Sequence, residues 1–207
     1  KLYTQSLNLL NFYKLTTIYT MKYFTIKSIS PNDFQTLTRM DKEIFPLKSQ
    51  QTVFSITSNK QNTICYVAHA LLTNRTCSLN PIGYINVLFT DFECEILSFG
   101  VAKNHRGYGV GKALIALTLK TLAGINCQSV FLEVRKSNQP ARALYSKFGF
   151  KKTGVRSRYY SDNQEDAILM SLHDFENFEY LTFLQSTLDK LCFYNTGTDS
   201  KPANSIL

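Results

Sequence analysis

Arg106-Gly107-Tyr108-Gly109-Val110-Gly111-Lys112 stands between an apolar stretch that ends at Val101 and a leucine- and alanine-rich run from Ala113 to Leu122. The reading is strand, glycine turn, helix. A turn of this kind points successive backbone N–H groups into one concavity, and the helix N-terminus adds a partial positive charge at the same spot. A pyrophosphate suits such a cradle, held by backbone rather than by side chains. Taken alone the spacing has a local alternative, because glycine pairs also end strands and start helices. The elements on either side decide what the turn is for.

Upstream, residues 23–29 alternate polar and apolar side chains, the pattern of a half-buried strand. Ser30-Pro31-Asn32-Asp33 reads as a helix start, with Ser30 as cap, Pro31 at the first helical position and Asp33 closing a capping box. That helix runs to residue 44, Phe45-Pro46 breaks it, and a second short helix follows over 50–56. Strands at 63–72, 82–89 and 95–101, separated by polar turns, predict an antiparallel meander. Downstream, the helix after the glycine turn ends at Gly124, a buried strand covers 129–134, and a helix over 138–148 has Gly149 at its C-terminal cap. Strands over 150–159 and 166–172 close the set. The order β-α-α-β-β-β-α-β-α-β-β predicts an α/β (α+β) fold with a mixed, mostly antiparallel sheet of six to seven strands flanked by four helices. A doubly wound dinucleotide fold would alternate strand and helix throughout, so a nicotinamide cofactor is disfavoured.

The globular domain is expected over residues 21–172. Residues 1–20 read as a leader, disordered or not native ahead of Met21. They carry Ser/Thr and lysine but no arginine, which makes an organelle address the weaker reading. Residues 173–207 are expected to add a helix over 175–192 and then a disordered Gly, Thr, Asn and Ser tail. The chain has 207 residues and a formal charge of +8, with Lys and Arg spread along it rather than clustered. Direct nucleic-acid binding is therefore not expected, although a basic surface steers a polyanionic cofactor, or an RNA-rich assembly carrying a protein substrate. Five cysteines, Cys65, Cys77, Cys94, Cys127 and Cys192, form no C-x-x-C pair and have no histidine at ligand spacing. Neither a metal nor a disulfide framework is indicated, and reduced thiols are expected. No apolar run reaches the length of about 18 residues that a membrane span needs. A cytoplasmic monomer without membrane contact is the expectation.

Strand, R-x-x-G-x-G turn, helix, strand, helix with a tyrosine, then Gly149-Phe150 resembles the GCN5-related N-acetyltransferase (GNAT) family over residues 22–172. Leu132-Glu133-Val134-Arg135-Lys136-Ser137-Asn138 and Ala143-Leu144-Tyr145-Ser146-Lys147-Phe148-Gly149-Phe150 look like the RimI type of protein N-terminal acetyltransferase within it. Arg158-Tyr159-Tyr160 and Glu165-Asp166-Ala167-Ile168-Leu169-Met170 continue the likeness in order. The resemblance implies acetyl-CoA as donor and a protein or peptide N-terminal α-amino group, that of a ribosomal protein among them, as acceptor. It implies that Phe99, Gly100 and Val101 bind the pantetheine arm, that Arg106, Gly107, Tyr108, Gly109, Val110, Gly111 and Lys112 hold the pyrophosphate, and that Asn138 touches the cofactor. It also implies that Phe45, Pro46, Tyr159 and Tyr160 wall a slot that admits a flexible N-terminus and excludes a lysine side chain.

Chemistry asks for the same parts. An α-ammonium group has a pKa near 7.7–8.0 and must lose a proton before it attacks a thioester, and a second afterwards. Glu133, a carboxylate in an apolar strand, is the candidate general base. Tyr145, on the helix that follows, is the candidate acid for the departing thiolate. Each has a plainer alternative: an ion pair of Glu133 with Arg135 or Arg158, a packing role for Tyr145, and helix capping for Asn138. Two further functions stay open: an acetyltransferase for a small amine, with Glu93, Glu95 and Asp162 at the rim of the slot, and an acetyl-CoA-binding module without turnover.

Overall fold

The computed structural model describes residues 19–21, 24–44, 62–71 and 77–195. Nine strands form one sheet: β1 Tyr19–Met21, β2 Phe24–Ser28, β3 Thr63–Leu71, β4 Cys77–Thr90, β5 Glu93–Val101, β6 Ser129–Arg135, β7 Lys151–Tyr160, β8 Glu165–His173 and β9 Cys192–Asn195. Among the described residues four α-helices accompany it: α1 Phe34–Ile44, α2 Val110–Ala123, α3 Gln139–Lys147 and α4 Phe178–Asp189. The spatial order is β7-β8-β6-β5-β4-β3-β2-β1-β9. Every neighbouring pair is antiparallel except β5 and β6. The mixed, mostly antiparallel sheet expected from sequence is therefore the one observed, with seven strands from Phe24 to His173 and the meander β3-β4-β5 in its middle. The sheet and its core also run past residues 21 and 172: β1 pairs β2, β9 pairs β1, and α4 buries Leu184 and Leu188 in the main core. The expected helix over 50–56 and the tail beyond 195 lie outside the described residues.

Alternation along the strands sorts the two faces. In β3, Tyr66 and Ala68 enter the core beneath α2, whereas Val67 joins Leu37 and Met40 of α1 and Tyr84 of β4 on the other side. Helix α2 is apolar nearly all round, with Leu114, Leu117 and Leu119 all buried in the core that Leu184 and Leu188 of α4 share. Ahead of α1, the capping box forms as expected: Ser30 N–H donates to Asp33 at 2.9 Å and its hydroxyl at 2.6 Å. Asp33 is buried, which opposes its ionisation. His69, Ser30 and Lys27 more than offset that, holding its carboxyl well below the usual carboxylate range.

Among the cysteines the structure corrects the sequence reading. Cys94 of β5 and Cys127, 33 residues apart, meet sulfur to sulfur in the core. The chain leaving α2 returns to the start of β5, where Gln128 N–H donates to Phe92 O at 2.8 Å and Glu93 pairs in parallel with Ser129. That return creates a proximity which cysteine spacing alone does not reveal.

Candidate active site

The glycine turn is built as expected. After Val101 a 3-10 turn spans Lys103–His105, and Arg106 Nε donates to Val101 O at 3.1 Å, tying the turn to the end of β5. Gly107 and Gly109 have φ of +84° and +87°, a region other residues occupy only under strain. Gly109 is the N-cap of α2 and provides no side-chain cap, so the first N–H groups of the helix are not satisfied by one. A Cβ on Gly107 would meet nothing within 4 Å. Open space at the turn beside helix N–H groups that no side chain caps fits the pyrophosphate of acetyl-CoA, with Tyr108 exposed there and Lys112 in the first helical turn. Gly111 faces inward, where a Cβ would come within 3.1 Å of Phe99 Cζ and 3.2 Å of Leu144 Cδ2.

Below the turn the sheet opens. Strands β5 and β6 pair from Glu93 with Ser129 to Ile96 with Leu132 and no further, although β5 continues to Val101 and β6 to Arg135. At the same level the β4–β5 ladder passes from Asn86 opposite Ser98 to Val87 opposite Ile96, leaving Leu97 as an extra residue. A bulge of this kind bends its strand, and here it bends β5 away from β6. The backbone of Phe99, Gly100 and Val101 thereby borders a wedge. On one side of the sheet Phe99 stacks with Tyr145 at 5.9 Å and Tyr145 with Phe150 at 5.6 Å. On the other, Gly100 lies so close to Ile44 of α1 and the ring of Tyr84 that no side chain fits, and Tyr84 hydroxyl donates to buried Asp41.

Tyr145 and Glu133 reach the wedge from opposite faces. Val130, Leu132 and Val134 of β6 enter the core under the helices, so Phe131, Glu133 and Arg135 point to the face that carries α1. Tyr145 is buried on the helical face, and burial followed by the nearby Tyr160 pushes its phenol well above the ordinary tyrosine value. The group therefore stays protonated and able to donate. Glu133 accepts from Arg156 at 2.6 Å and from the Tyr159 phenol, which is held above its normal range mainly by that hydrogen bond. The ion pair anticipated with Arg135 or Arg158 is thus made by Arg156.

The tyrosine pair is placed by a second irregularity. Between Arg156 opposite Ala167 and Tyr160 opposite Glu165, β7 has three residues where β8 has one. Arg158 absorbs the excess with φ of +52°, and its N–H donates to Asp166 at 3.1 Å. Tyr159 and Tyr160 then pack edge to face at 5.2 Å beside Glu133. Arg135 lies 3.8 Å over the Tyr160 ring and pairs with Asp162 at 2.8 Å and Glu165 at 3.3 Å, fastening the β7–β8 turn to β6. Burial pushes Tyr160 up to about 12, while hydrogen bonds from Ser137 draw Glu165 down to about 2.

Of the residues singled out in the sequence, the structure gathers Phe99, Gly100, Val101 and Tyr145 at the wedge, and Glu133 with Tyr159 and Tyr160 opposite. Asn138 caps α3, its side chain accepting from Ala141 N–H at 3.2 Å. Phe45 and Pro46 lie outside the described residues. Glu95 is exposed on β5 and lies close enough to Glu133 to feel its charge. Burial and the charge of Glu133 both raise its pKa, and Arg156 opposes them, so two carboxylates and one guanidinium share one field. Its strand alternation (Glu93, Glu95 out, Cys94, Ile96 in) was the signal in the sequence. Among the described residues no group of His, Cys, Asp or Glu is arranged to hold a metal ion, and no helix is long and apolar enough to cross a membrane.

A family model described as "Acetyltransferase (GNAT) family" matches residues 32–150. The chain is 33% identical over 103 residues to a putative ribosomal protein bS18-alanine N-acetyltransferase of Bacillus subtilis, spanning 50% of this chain and 67% of that protein. It is 43% identical over 78 residues to an N-alpha-acetyltransferase of Sulfurisphaera tokodaii, spanning 37% of this chain and less than half, 46%, of the relative. Among solved structures, Ard1 from Thermoplasma volcanium superposes with a TM-score of 0.60 at 28% identity, over 72% of this chain and 97% of that one. NAA60 of Arabidopsis thaliana in complex with a bisubstrate analogue shares the fold, with a TM-score of 0.65 at 23% identity over 72% and 97% of the two chains.

Proposed function

The chain belongs to the GNAT acetyltransferase family, and on that footing we propose that it transfers acetyl from acetyl-CoA to the N-terminal α-amino group of a protein or peptide in the cytoplasm. The observation that supports this most is the pair of opposed groups at the wedge: Glu133 on the acceptor face, flanked by Tyr159 and Tyr160, and protonated Tyr145 on the cofactor face. The cofactor supplies an activated acetyl thioester. Residues Gly107 to Lys112 hold its pyrophosphate through backbone N–H groups, Arg106 braces the turn, Asn138 caps α3, and the stretch of β5 from Phe99 to Val101, left unpaired by β6, aligns the pantetheine arm.

Glu133 takes the proton of the incoming ammonium, directly or through water, and Tyr145 hydrogen-bonds the departing thiolate, each worth about 10²- to 10⁴-fold. Arg156 must yield part of its hold on Glu133 for this to occur, and its exposed guanidinium is free to do so. Tyr159 and Tyr160 make the slot narrow, which favours a chain end over a lysine presented from a loop. The relatives in Bacillus and Sulfurisphaera carry the names of a ribosomal protein bS18-alanine N-acetyltransferase and an N-alpha-acetyltransferase, which supports the same acceptor class, ribosomal proteins included. A small-amine acceptor is the second reading, favoured by one feature: Glu95 beside Glu133 offers two carboxylates to a polycation. A panel of free-N-terminus peptides, N-terminally blocked lysine peptides and polyamines separates the two, and turnover confined to polyamines overturns the first.

A further inference from the structure

The glycine turn is gripped from two sides, and only one grip belongs to the catalytic domain as read from sequence. On the inner side Gly111 rests against Phe99 of β5 and Leu144 of α3. On the outer side a Cβ placed on Gly109 would fall 2.6 Å from Leu191 Cδ2. Gly109 thus lacks a side chain for two reasons, its φ of +87° and the close approach of Leu191.

Leu191 is itself anchored at both ends. Before it, α4 packs along α2, with Leu184 and Leu188 buried, Tyr180 hydroxyl donating to Phe148 O at 2.6 Å, and Lys120 of α2 bound to Gln185. After it, β9 pairs with β1 in the register Met21 with Cys192, Thr20 with Tyr194 and Tyr19 with Asn195. A Gly-x-Gly turn has high backbone freedom when unbraced, and ordering it on ligand binding subtracts from affinity.

We infer that Leu191 is a positioning residue for the cofactor: through Gly109 the C-terminal segment holds the pyrophosphate turn in its binding form. This rests on the turn being the pyrophosphate site. The segment thereby couples cofactor affinity to the β1–β9 edge of the sheet, far from the acceptor slot.

The test compares Leu191→Ala, Leu191→Met and Gly107→Val in the full chain, with CoA binding by calorimetry and steady-state kinetics as readouts. Leu191→Ala is expected to raise the CoA dissociation constant and the acetyl-CoA KM about three- to tenfold, since 1.4 kcal/mol corresponds to tenfold. The expectation includes kcat and the acceptor KM staying within twofold of the wild type, and Leu191→Met restoring CoA affinity by refilling the contact. Gly107→Val places a β-branched residue at φ of +84° and abolishes CoA binding whether or not Leu191 matters. Normal CoA binding in Leu191→Ala alongside a defective Gly107→Val overturns the bracing role alone. Normal binding in both variants overturns the assignment of the turn. An acceptor KM that rises as much as the acetyl-CoA KM, or a Leu191→Met variant as weak as Leu191→Ala, also overturns the bracing role.

Discussion

Replacing Glu133 by glutamine removes the proposed base while keeping its shape and most of its packing. General-base help is worth about 10²- to 10⁴-fold, and the structure argues for the lower end. Glu95 lies within electrostatic reach of Glu133, so a second carboxylate remains to take a proton through water. The expected loss in kcat/KM for a peptide acceptor is about a hundredfold near pH 7, or about 2.7 kcal/mol of transition-state stabilisation. Folding is barely touched, because Arg156 is 56% exposed and a pair of that kind contributes only about 0–1 kcal/mol. For a chain of this size that is a change in Tm of a few degrees at most. The assay is initial rate against pH with a short peptide bearing a free N-terminus, after thermal melts establish that the variant is folded. Above about pH 8 the α-amino group sheds its proton unaided, so the deficit narrows as pH rises. Wild-type activity near pH 7 refutes the role of Glu133, and so does a deficit that stays constant to about pH 9.

Three other outcomes follow from the same geometry. Tyr145→Phe should lower kcat about 10²-fold or more while CoA affinity, read by calorimetry, stays unchanged, since its ring stacks on Phe99 and Phe150 survive. Gly111→Val places new carbons against Phe99 and Leu144 and should cost about 1–3 kcal/mol of stability by overpacking, seen as a lower Tm together with a raised acetyl-CoA KM. Glu95 has a folded-state pKa above its unfolded value, so its contribution to stability is present at low pH and lost as pH rises through the folded value. Glu95→Gln should therefore melt higher than wild type at neutral pH and indistinguishably from it in acid, a crossover that paired melting curves resolve.

Much of the architecture is legible in local signals. The glycine turn, the Asn138 and Ser30 caps and the Gly149 stop each report a backbone need that only a few residue types meet, and the structure uses all four as read. The features that make a site of them are not local. The bulge at Leu97 and the three-against-one step after Arg156 change which side chains share a face, yet neither has a glycine or proline to mark it. The residue that bends the second is Arg158, a type that rarely takes a positive φ. Arg158 lies within that step and Arg135 is held by Asp162 and Glu165, and the partner of Glu133 is Arg156. The contact of Cys94 with Cys127, the pairing of β1 with β9 and the approach of Leu191 to Gly109 join positions far apart in the chain, where composition and periodicity carry no information.

Acetylation of a peptide library with variable first residues and internal lysines, read by fragmentation mass spectrometry, bears most directly on the proposed acceptor. The proposed slot, walled by Tyr159 and Tyr160 beside Glu133, predicts acetyl on the α-amino group, with internal lysines left unmodified and the transfer sensitive to Glu133→Gln. Acetyl found on lysine side chains, or no transfer to any peptide while spermidine is turned over, would contradict it.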